Sequence, residues 1–429
     1  MGNMTEWFDY GVYAYAATYI AGAFFPSGDD AAATLNTLLV FAVSFLLRPV
    51  GGLVLGPIGD RFGRRRVLAT TIVLMAASTF CVGLVPSYDQ IGILAPILLV
   101  VLRVVQGFST GGEYGGAATF MAEYAPDRRR GFFGSFLEFG TLAGFTLAAL
   151  IVLIFELVLS PDAMASWGWR IPFLLGGPLG LVGLYLRNQL EDTPVFRDLE
   201  ENDQVEDNAT SALKDLVSTY WKQLLTLGGL VIALNVCNYT LLAYMPTYLE
   251  QKIGLSARES LVLLIIGQTV MMLLIPFSGR LSDRFGRKPA WWTSLIGLFI
   301  VAIPAFQLMG KGFALALVGF AVMGVLYVLQ LSTISATFPA MFPTHVRFAG
   351  FAISYNVFTA LFGGTAPAVN EKLIAITGTS IAPAYAMMVA CLVGMVALVF
   401  VPETARASIR GTGLPGIDTE QKDLAPKQA

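Results

Sequence analysis

Four side chains near the N-terminus share one helical face and could bind a proton or a cation. At 100° per residue they fall within an arc about 100° wide. Burial favours the neutral form of a carboxyl group, and acids and phenol rings both bind quaternary ammonium groups. The face therefore predicts a site for proton transfer, cation binding or both. Its members are Glu6, Asp9, Tyr10 and Tyr13.

A second charged stretch places an arginine near two polar groups. Gln106 follows Arg103 by one turn, and Glu113 lies seven residues after Gln106 on the same face. An arginine inside an apolar run must find an acid, and the candidates are Asp9, Glu113 and Glu138. The sequence leaves that choice open. Movement of a substrate or of the arginine would switch the acid between its protonated and charged forms, which is the physical basis of proton symport.

The second half of the chain offers mainly neutral polar groups at membrane depth. Bridging helices by hydrogen bonds and contacting a substrate are both open as their role. Arg48 has two interpretations as well, an anchor at the membrane interface or a cation in the cavity. The neutral candidates for substrate contact are Asn235, Asn238, Tyr239 and Asn356.

The elements that position these residues are membrane helices. The chain is 55% apolar and only 13% charged, which excludes an ordinary soluble protein. Its apolar runs of about 20 residues match the length of a helix that crosses a bilayer. We therefore predict an all-α membrane protein with twelve transmembrane helices. They cover roughly 3–25, 34–58, 67–86, 91–122, 131–156, 169–190, 222–250, 260–281, 289–308, 312–340, 348–376 and 379–402.

The longest polar segment divides these helices into two sets of six. The predicted divisions are an N-terminal half at 1–190, a cytoplasmic linker at 191–221, a C-terminal half at 222–402 and a tail at 403–429. Of the 27 Lys and Arg residues, 20 fall in or beside the linker, the tail and the loops on their side, and four fall in the opposite loops. Positive residues stay inside, so both termini are expected in the cytoplasm of a bacterial plasma membrane. We expect no cleavable signal peptide, because no basic stretch precedes the first apolar run.

A basic turn occurs twice at equivalent places in the two halves. Gly56-Pro-Ile-Gly-Asp60-Arg61-Phe-Gly63-Arg64-Arg65 returns as Gly279-Arg-Leu-Ser-Asp283-Arg284-Phe-Gly286-Arg287-Lys288. Internal duplication is typical of transporters, in which two related halves move around a central site. The repeat therefore indicates alternating access.

At these turns the chain resembles the major facilitator superfamily, whose 2–3 and 8–9 loops carry this pattern. The resemblance implies two six-helix halves and a cytoplasmic latch, in which Asp60 pairs with Arg130 and Glu123 lies nearby. It implies a weaker latch in the second half, where Ala340 stands in place of the matching acid. The alternative is a solvated loop that only sets topology. The gate candidates are Gly56, Asp60, Arg61, Gly63, Arg64, Glu123, Arg130, Asp283, Arg284, Arg287 and Arg347.

Other strings resemble one branch of that superfamily, the metabolite:H⁺ symporters. They include Glu6-Trp7-Phe8-Asp9 and Gly111-Gly112-Glu113-Tyr114. A further string, Pro339-Ala-Met-Phe-Pro343-Thr-His345, is most similar to osmoregulatory proline and betaine transporters. The resemblance implies proton-driven import of a small zwitterion. We also expect the protein to work as a monomer. It also links the Arg103 and Gln106 motif to proton coupling.

Several other classes are weaker expectations. A di- or tricarboxylate symporter would want two or more cavity cations, and only Arg48 and Arg103 are available. An efflux antiporter would share the fold and the buried acids. The single histidine, His345, and three scattered cysteines predict no metal site, no cofactor and no enzyme. A net charge of −2 suggests no nucleic-acid partner.

Overall fold

A computed structural model describes most of the chain. The backbone is described over 2–25, 29–62, 64–111, 113–189, 216, 218–343 and 346–409. Side chains are described over 3–25, 29–55, 69–111, 114–185, 216, 218–343 and 346–409. The predicted linker at 191–221 lies largely outside these ranges, so its limits stay a prediction.

Twelve long helical spans follow one another in the described part of the chain, each at the place of one predicted span. Short helices such as Tyr88–Ile91 and Pro161–Ser166 lie between them, and no strand occurs in that part. In the first half they are α1 (Gly2–Tyr15 and Ala17–Phe24), α2 (Asp30–Leu46 and Arg48–Phe62), α3 (Arg64–Leu84), α4 (Leu94–Thr110 and Glu113–Tyr124), α5 (Arg130–Val158) and α6 (Ile171–Gln189). In the second half they are α7 (Trp221–Ile253), α8 (Ala257–Phe285), α9 (Arg287–Met309), α10 (Phe313–Leu331 and Ile334–Thr337), α11 (Arg347–Phe358, Thr359–Gly363 and Ala366–Thr377) and α12 (Ala382–Val399). This confirms the predicted fold class.

Eight of the helices are long and apolar enough to cross a membrane by length and composition alone, counted over the described residues. The helix α1 is divided at Ala16, and the part of α3 whose side chains are described, Ala69–Leu84, is a shorter apolar helix. Interruptions near the middle of a transporter helix free backbone groups and bend the helix toward a cavity.

Irregular turns concentrate in the second half. In α7, Tyr239–Tyr244 and Leu249–Ile253 are π-helical, and in α11 the π-helical turn is Thr359–Gly363. Such turns are frequent at functional sites, because the wider turn redirects the side chains that follow it. Here the turn Tyr239–Tyr244 packs against α1, and the turn Thr359–Gly363 packs against α2.

Close helix crossings depend on glycine. A Cβ added at Gly107 would overlap the backbone of Ser44, and one at Gly111 would overlap the Arg48 carbonyl oxygen. The helices α2 and α4 therefore approach backbone to backbone, as small residues allow in membranes. Across the halves α5 packs along α8 and α2 packs along α11. These contacts bring the polar residues of α1, α2 and α4 to the middle of the molecule.

Candidate transport site

The acid-and-tyrosine face of α1 points into the protein. Glu6, Tyr10 and Tyr13 are fully buried, and Asp9 is 2% exposed. Charged groups persist in such a place only when they are paired or hydrogen-bonded. The partners of the two acids therefore define what this face can do.

Glu6 forms an ion pair with Arg48 of α2. The Nε of Arg48 also donates to Thr110 Oγ1 at 3.1 Å, and the hydroxyl of Tyr10 lies 3.2 Å from the same oxygen. Arg48 is 1% exposed, so it lies inside the bundle, as the interpretation of a cation in the cavity requires. Arg48 begins the second segment of α2. The next residue is Pro49, which has no backbone N–H, so one hydrogen bond to a carbonyl oxygen of the preceding turn is missing there.

Five aromatic rings from both halves form a cluster beside this ion pair, and we call them the aromatic cluster. The Tyr10 and Phe45 ring centroids are 4.6 Å apart, and Phe45 lies 5.0 Å from Tyr239 of α7. Trp7 lies 5.8 Å from Tyr10 and 6.1 Å from Tyr239. The members are Trp7, Tyr10, Phe41, Phe45 and Tyr239. Four of these rings belong to the first half and Tyr239 belongs to the second, so the cluster joins the halves at the centre.

Asp9 is connected to Arg103 through two neutral side chains. The Thr79 hydroxyl donates to Asp9 Oδ1 at 2.5 Å, and Gln106 Nε2 donates to the Thr79 oxygen at 2.9 Å. Arg103 in turn donates to Gln106 Oε1, and its guanidinium carbon lies 3.5 Å from the centroid of the Tyr13 ring. Of the three acids that the sequence offered to Arg103, Asp9 is the one that this chain of bonds reaches. No pattern in the sequence pointed to Thr79.

Glu138 of α5 lies apart from both arginines. It accepts a hydrogen bond from Tyr114, whose ring stacks on Tyr355 of α11 with centroids 4.5 Å apart. Glu138 is therefore positioned beside a contact between the halves. The side chain of Glu113 lies outside the described residues.

The neutral candidates of the second half all hold hydrogen bonds or ring contacts near the centre. Asn235 Nδ2 donates to Thr359 at 2.8 Å, and Asn238 accepts from Tyr327 at 2.8 Å. Asn356 Nδ2 donates to the Gly111 carbonyl oxygen at 2.7 Å, which ties α11 to α4. Asn235 and Asn238 thus bridge helices within the second half, whereas Asn356 bridges the two halves.

At the end with the basic turns, Asp283 joins the halves. Its two carboxylate oxygens accept the backbone N–H groups of Gly131 at 2.8 Å and Phe132 at 2.9 Å. It also accepts from Arg287 at 2.5 Å, and Glu403 accepts the backbone N–H of Arg287 at 2.9 Å. The second basic turn is therefore engaged with the first half, although the sequence assigned the stronger latch to the first copy.

Glu123 finds its partner across the halves. It pairs with Arg347 at 3.1 Å, and Arg347 also donates to the carbonyl oxygens of Pro339 and Ile409. Arg130 contacts Asp127 and the Ala407 carbonyl oxygen. The second half has Ala340 at the position that corresponds to Glu123, and Arg347 pairs with Glu123 of the first half instead. The expected pairing of Arg130 with Asp60 falls on a side chain outside the described residues, as do the other side chains of the first turn.

The opposite end carries a buried acid that sequence reasoning missed. Glu371 of α11 is 2% exposed, pairs with Lys252 at 2.6 Å and accepts from the Tyr244 hydroxyl at 2.7 Å. Gln251 donates to Thr34 of α2 at 2.8 Å, which closes the halves against each other at this end too. The signal that could have found Glu371 is its place on the apolar side of a predicted membrane helix.

The family model of the Major Facilitator Superfamily matches residues 2–369, most of the chain. This chain belongs to the Major Facilitator Superfamily. Members of this superfamily are transporters rather than enzymes, so the chain is not an enzyme, as the sequence predicted. The two six-helix halves are those of the superfamily fold.

Curated members of the superfamily are similar over nearly the whole chain. The "Proline/betaine transporter" of Escherichia coli (strain K12) is 42% identical over 98% of this chain and 85% of its own length. The "Glycine betaine/proline/ectoine/pipecolic acid transporter OusA" of Dickeya dadantii (strain 3937) is 42% identical over 99% of this chain and 86% of its own length. The "Putative proline/betaine transporter" of Staphylococcus aureus (strain COL) is 42% identical over 98% of this chain and 90% of its own length.

Solved structures of the superfamily share the fold. The proton:xylose symporter XylE, bound to 6-bromo-6-deoxy-D-glucose, has a TM-score of 0.74 at 19% identity and covers 95% of both chains. The partially occluded inward open conformation of XylE from E. coli has a TM-score of 0.71 at 18% identity, over 94% of this chain and 96% of that one. At this identity the likeness concerns the fold alone.

Proposed function

We propose that this chain imports a small zwitterionic osmolyte, such as proline or glycine betaine, together with protons by alternating access. The observation that carries the proposal is the α1 face, which holds two buried acids at the centre of a duplicated bundle. One acid is paired with a cation beside aromatic rings, and the other is joined to a cation only through neutral groups. The named substrates of the similar transporters agree with this chemistry.

Asp9 is the proposed proton carrier. Because Thr79 and Gln106 separate it from Arg103, its negative charge is only partly compensated where it is buried. Burial without a cation in direct contact stabilises the protonated form of a carboxyl group relative to the charged form. Rotation of Gln106 or Arg103 would change the relative stability of the two forms. Such a group can take a proton on one side of the membrane and lose it on the other. Glu113 remains the alternative carrier.

The polar contacts at the two ends are the proposed gates. In this proposal the basic end is cytoplasmic, both termini lie inside, and the chain acts as a monomer in a bacterial plasma membrane. Asp283 on α5 and Glu123 with Arg347 hold that end closed. Gln251 with Thr34 holds the other end closed, so the described arrangement corresponds to an occluded state. Release of one gate at a time exposes the centre to one side.

Uptake into transport-deficient cells tests the proposal. Labelled glycine betaine, proline and 2-oxoglutarate are supplied with and without a protonophore. We expect the two zwitterions to accumulate and the protonophore to abolish accumulation. Zwitterion uptake no higher than in empty cells would refute the substrate class, and uptake of 2-oxoglutarate would favour the carboxylate alternative. Uptake that a protonophore leaves unchanged would refute proton coupling.

A further inference from the structure

The ion pair at the centre has the same charge pattern as a zwitterion. Glu6 is fully buried and Arg48 is 1% exposed, so both charges are withdrawn from water. The guanidinium carbon of Arg48 lies 5.2 Å from the Phe45 ring centroid and 5.4 Å from that of Tyr10. A positive charge in this place is therefore held by an acid and by ring faces together.

A second observation at the same place points to a ligand. The Tyr239 hydroxyl is fully buried and has no hydrogen-bond partner among the described residues. A buried hydroxyl without a partner destabilises the protein unless a bound group supplies the missing bond. The Phe45 ring contacts both groups, because its centroid lies 5.2 Å from the Arg48 guanidinium carbon and 5.0 Å from the centroid of the Tyr239 ring. The Tyr239 side chain and the ion pair therefore belong to one site between the halves.

We propose, on the basis of the function proposed above, that the zwitterionic substrate inserts between Glu6 and Arg48. Its carboxylate binds Arg48 and the Tyr239 hydroxyl, and its ammonium group lies between Glu6 and the aromatic cluster. Both protein charges change partners in this step, and neither is left alone. Tyr239 draws the second half toward the substrate.

The exchange explains selectivity for compounds that carry both charges. Separating a buried ion pair leaves two uncompensated charges, which is strongly unfavourable. A zwitterion compensates both at once. A compound with only a cationic group leaves Arg48 unpaired, and a compound with only a carboxylate leaves Glu6 unpaired. The ion pair therefore weakens the binding of analogues that have the same shape but only one charge.

The exchange also separates substrate binding from proton coupling. The substrate has no net charge, and Glu6 is paired before and after it binds. Glu6 consequently needs no proton during the cycle. Proton coupling falls to the Asp9 network, which shares α1 with Glu6 but contacts other side chains.

Two isosteric probes test the proposal on the purified full-length chain. Choline keeps the quaternary ammonium group and replaces the carboxylate by a hydroxymethyl group. In 3,3-dimethylbutyrate the carboxylate stays and carbon replaces the nitrogen. The measurement is displacement of labelled glycine betaine, or direct binding of each labelled probe where betaine no longer binds. The variants are Glu6→Gln, Arg48→Gln and the double variant, which removes both charges and keeps a polar side chain at each position.

We expect the wild-type protein to bind each probe at least about tenfold more weakly than betaine, about 1.4 kcal/mol. In Arg48→Gln the affinity for choline relative to that for betaine should rise by at least about tenfold. In Glu6→Gln the affinity for 3,3-dimethylbutyrate relative to that for betaine should rise by a similar factor. The double variant should lose both preferences and stay folded. Glu371→Gln, in the buried pair with Lys252, is the matched control and should leave both ratios unchanged.

The outcomes separate the inference from the proposed function. Ratios that stay within about twofold of wild type (about 0.4 kcal/mol) in both single variants would overturn the exchange, even if the wild-type protein takes up betaine with protons. A wild-type protein that neither binds nor transports betaine or proline would instead overturn the proposed function. Opposite shifts in the two single variants would support both.

Discussion

The carboxylate of Asp283 caps a helix in the other half of the protein, because its Oδ1 accepts the backbone N–H of Gly131 at 2.8 Å. The next N–H, that of Phe132, binds the other oxygen at 2.9 Å. The first N–H groups of a helix have no partner inside the helix, and an acid there is favoured by the helix dipole as well. One residue thus links the basic turn of the second half to α5 of the first.

Asp283→Ala should loosen the basic end. Loss of an N-cap acid typically costs about 1 kcal/mol, which corresponds to roughly fivefold faster exchange of the protected amides. Hydrogen–deuterium exchange of the peptide that contains residues 130–133 measures the effect. Asp127→Ala is the control, since Asp127 pairs with Arg130 within the first half. Equal exchange in the two variants would show that Asp283 does not hold the halves together.

Asp9→Asn should uncouple transport from protons. The amide keeps a hydrogen-bond acceptor for Thr79 but cannot bind and release a proton at physiological pH. We expect exchange of labelled substrate across proteoliposomes to continue, while a proton gradient no longer drives accumulation. The pH dependence of exchange should also become flatter than in the wild-type protein.

Thr79→Val provides the control for this variant, since it removes a link of the network and leaves the carboxyl group in place. It should shift the pH dependence of transport and retain gradient-driven accumulation. Accumulation by Asp9→Asn equal to that of wild type would contradict the assignment and would favour Glu113.

The helices and the face of α1 could be predicted from sequence, because apolar length and helical spacing are local properties. The same reasoning found Glu6, Asp9 and Arg103 as buried charges. It could not choose a partner for Arg103, since the link through Gln106 and Thr79 joins three helices whose packing the spacing does not determine.

Contacts between the halves were harder to predict for a related reason. The resemblance implied a latch within the first half, with Asp60 paired to Arg130 and Glu123 nearby, and a weaker one in the second half, where Ala340 replaces the acid that would match Glu123. In the structure Arg347 takes the acid of the other half at 3.1 Å. Internal symmetry describes each half by itself, whereas an interface between halves depends on how they dock.

Glu371→Ala should destabilise the end opposite to the basic turns. The change leaves Lys252, 19% exposed, without its acid, and it leaves the Tyr244 hydroxyl without its acceptor. Hydrogen bonds to charged groups are worth about 1.5–3 kcal/mol, so thermal unfolding in detergent should begin measurably earlier. Lys252→Ala should lower the unfolding temperature more than Glu259→Ala does, because Glu259 caps α8 in an exposed position. Equal melting of Glu371→Ala and wild type would show that the pair contributes nothing.

Gly279→Ala should separate α5 from α8 at the basic turn. A Cβ at Gly279 would overlap the Gly131 carbonyl oxygen and approach the Ser135 side chain at 2.9 Å, so one helix must move. Overpacking of this kind typically costs about 1–3 kcal/mol. Because the overlap occurs only while the basic end is closed, it raises the energy of that state and shifts the population toward opening there.

The accessibility of a cysteine introduced at Ser135 to a water-soluble maleimide measures this shift. It should increase in the Gly279→Ala background. Gly22→Ala is the matched control, because a Cβ at Gly22 meets nothing within 4 Å and the helix gains from alanine. That variant should label like the wild-type protein. Labelling that is unchanged by Gly279→Ala would mean that the glycine crossing does not control the basic end.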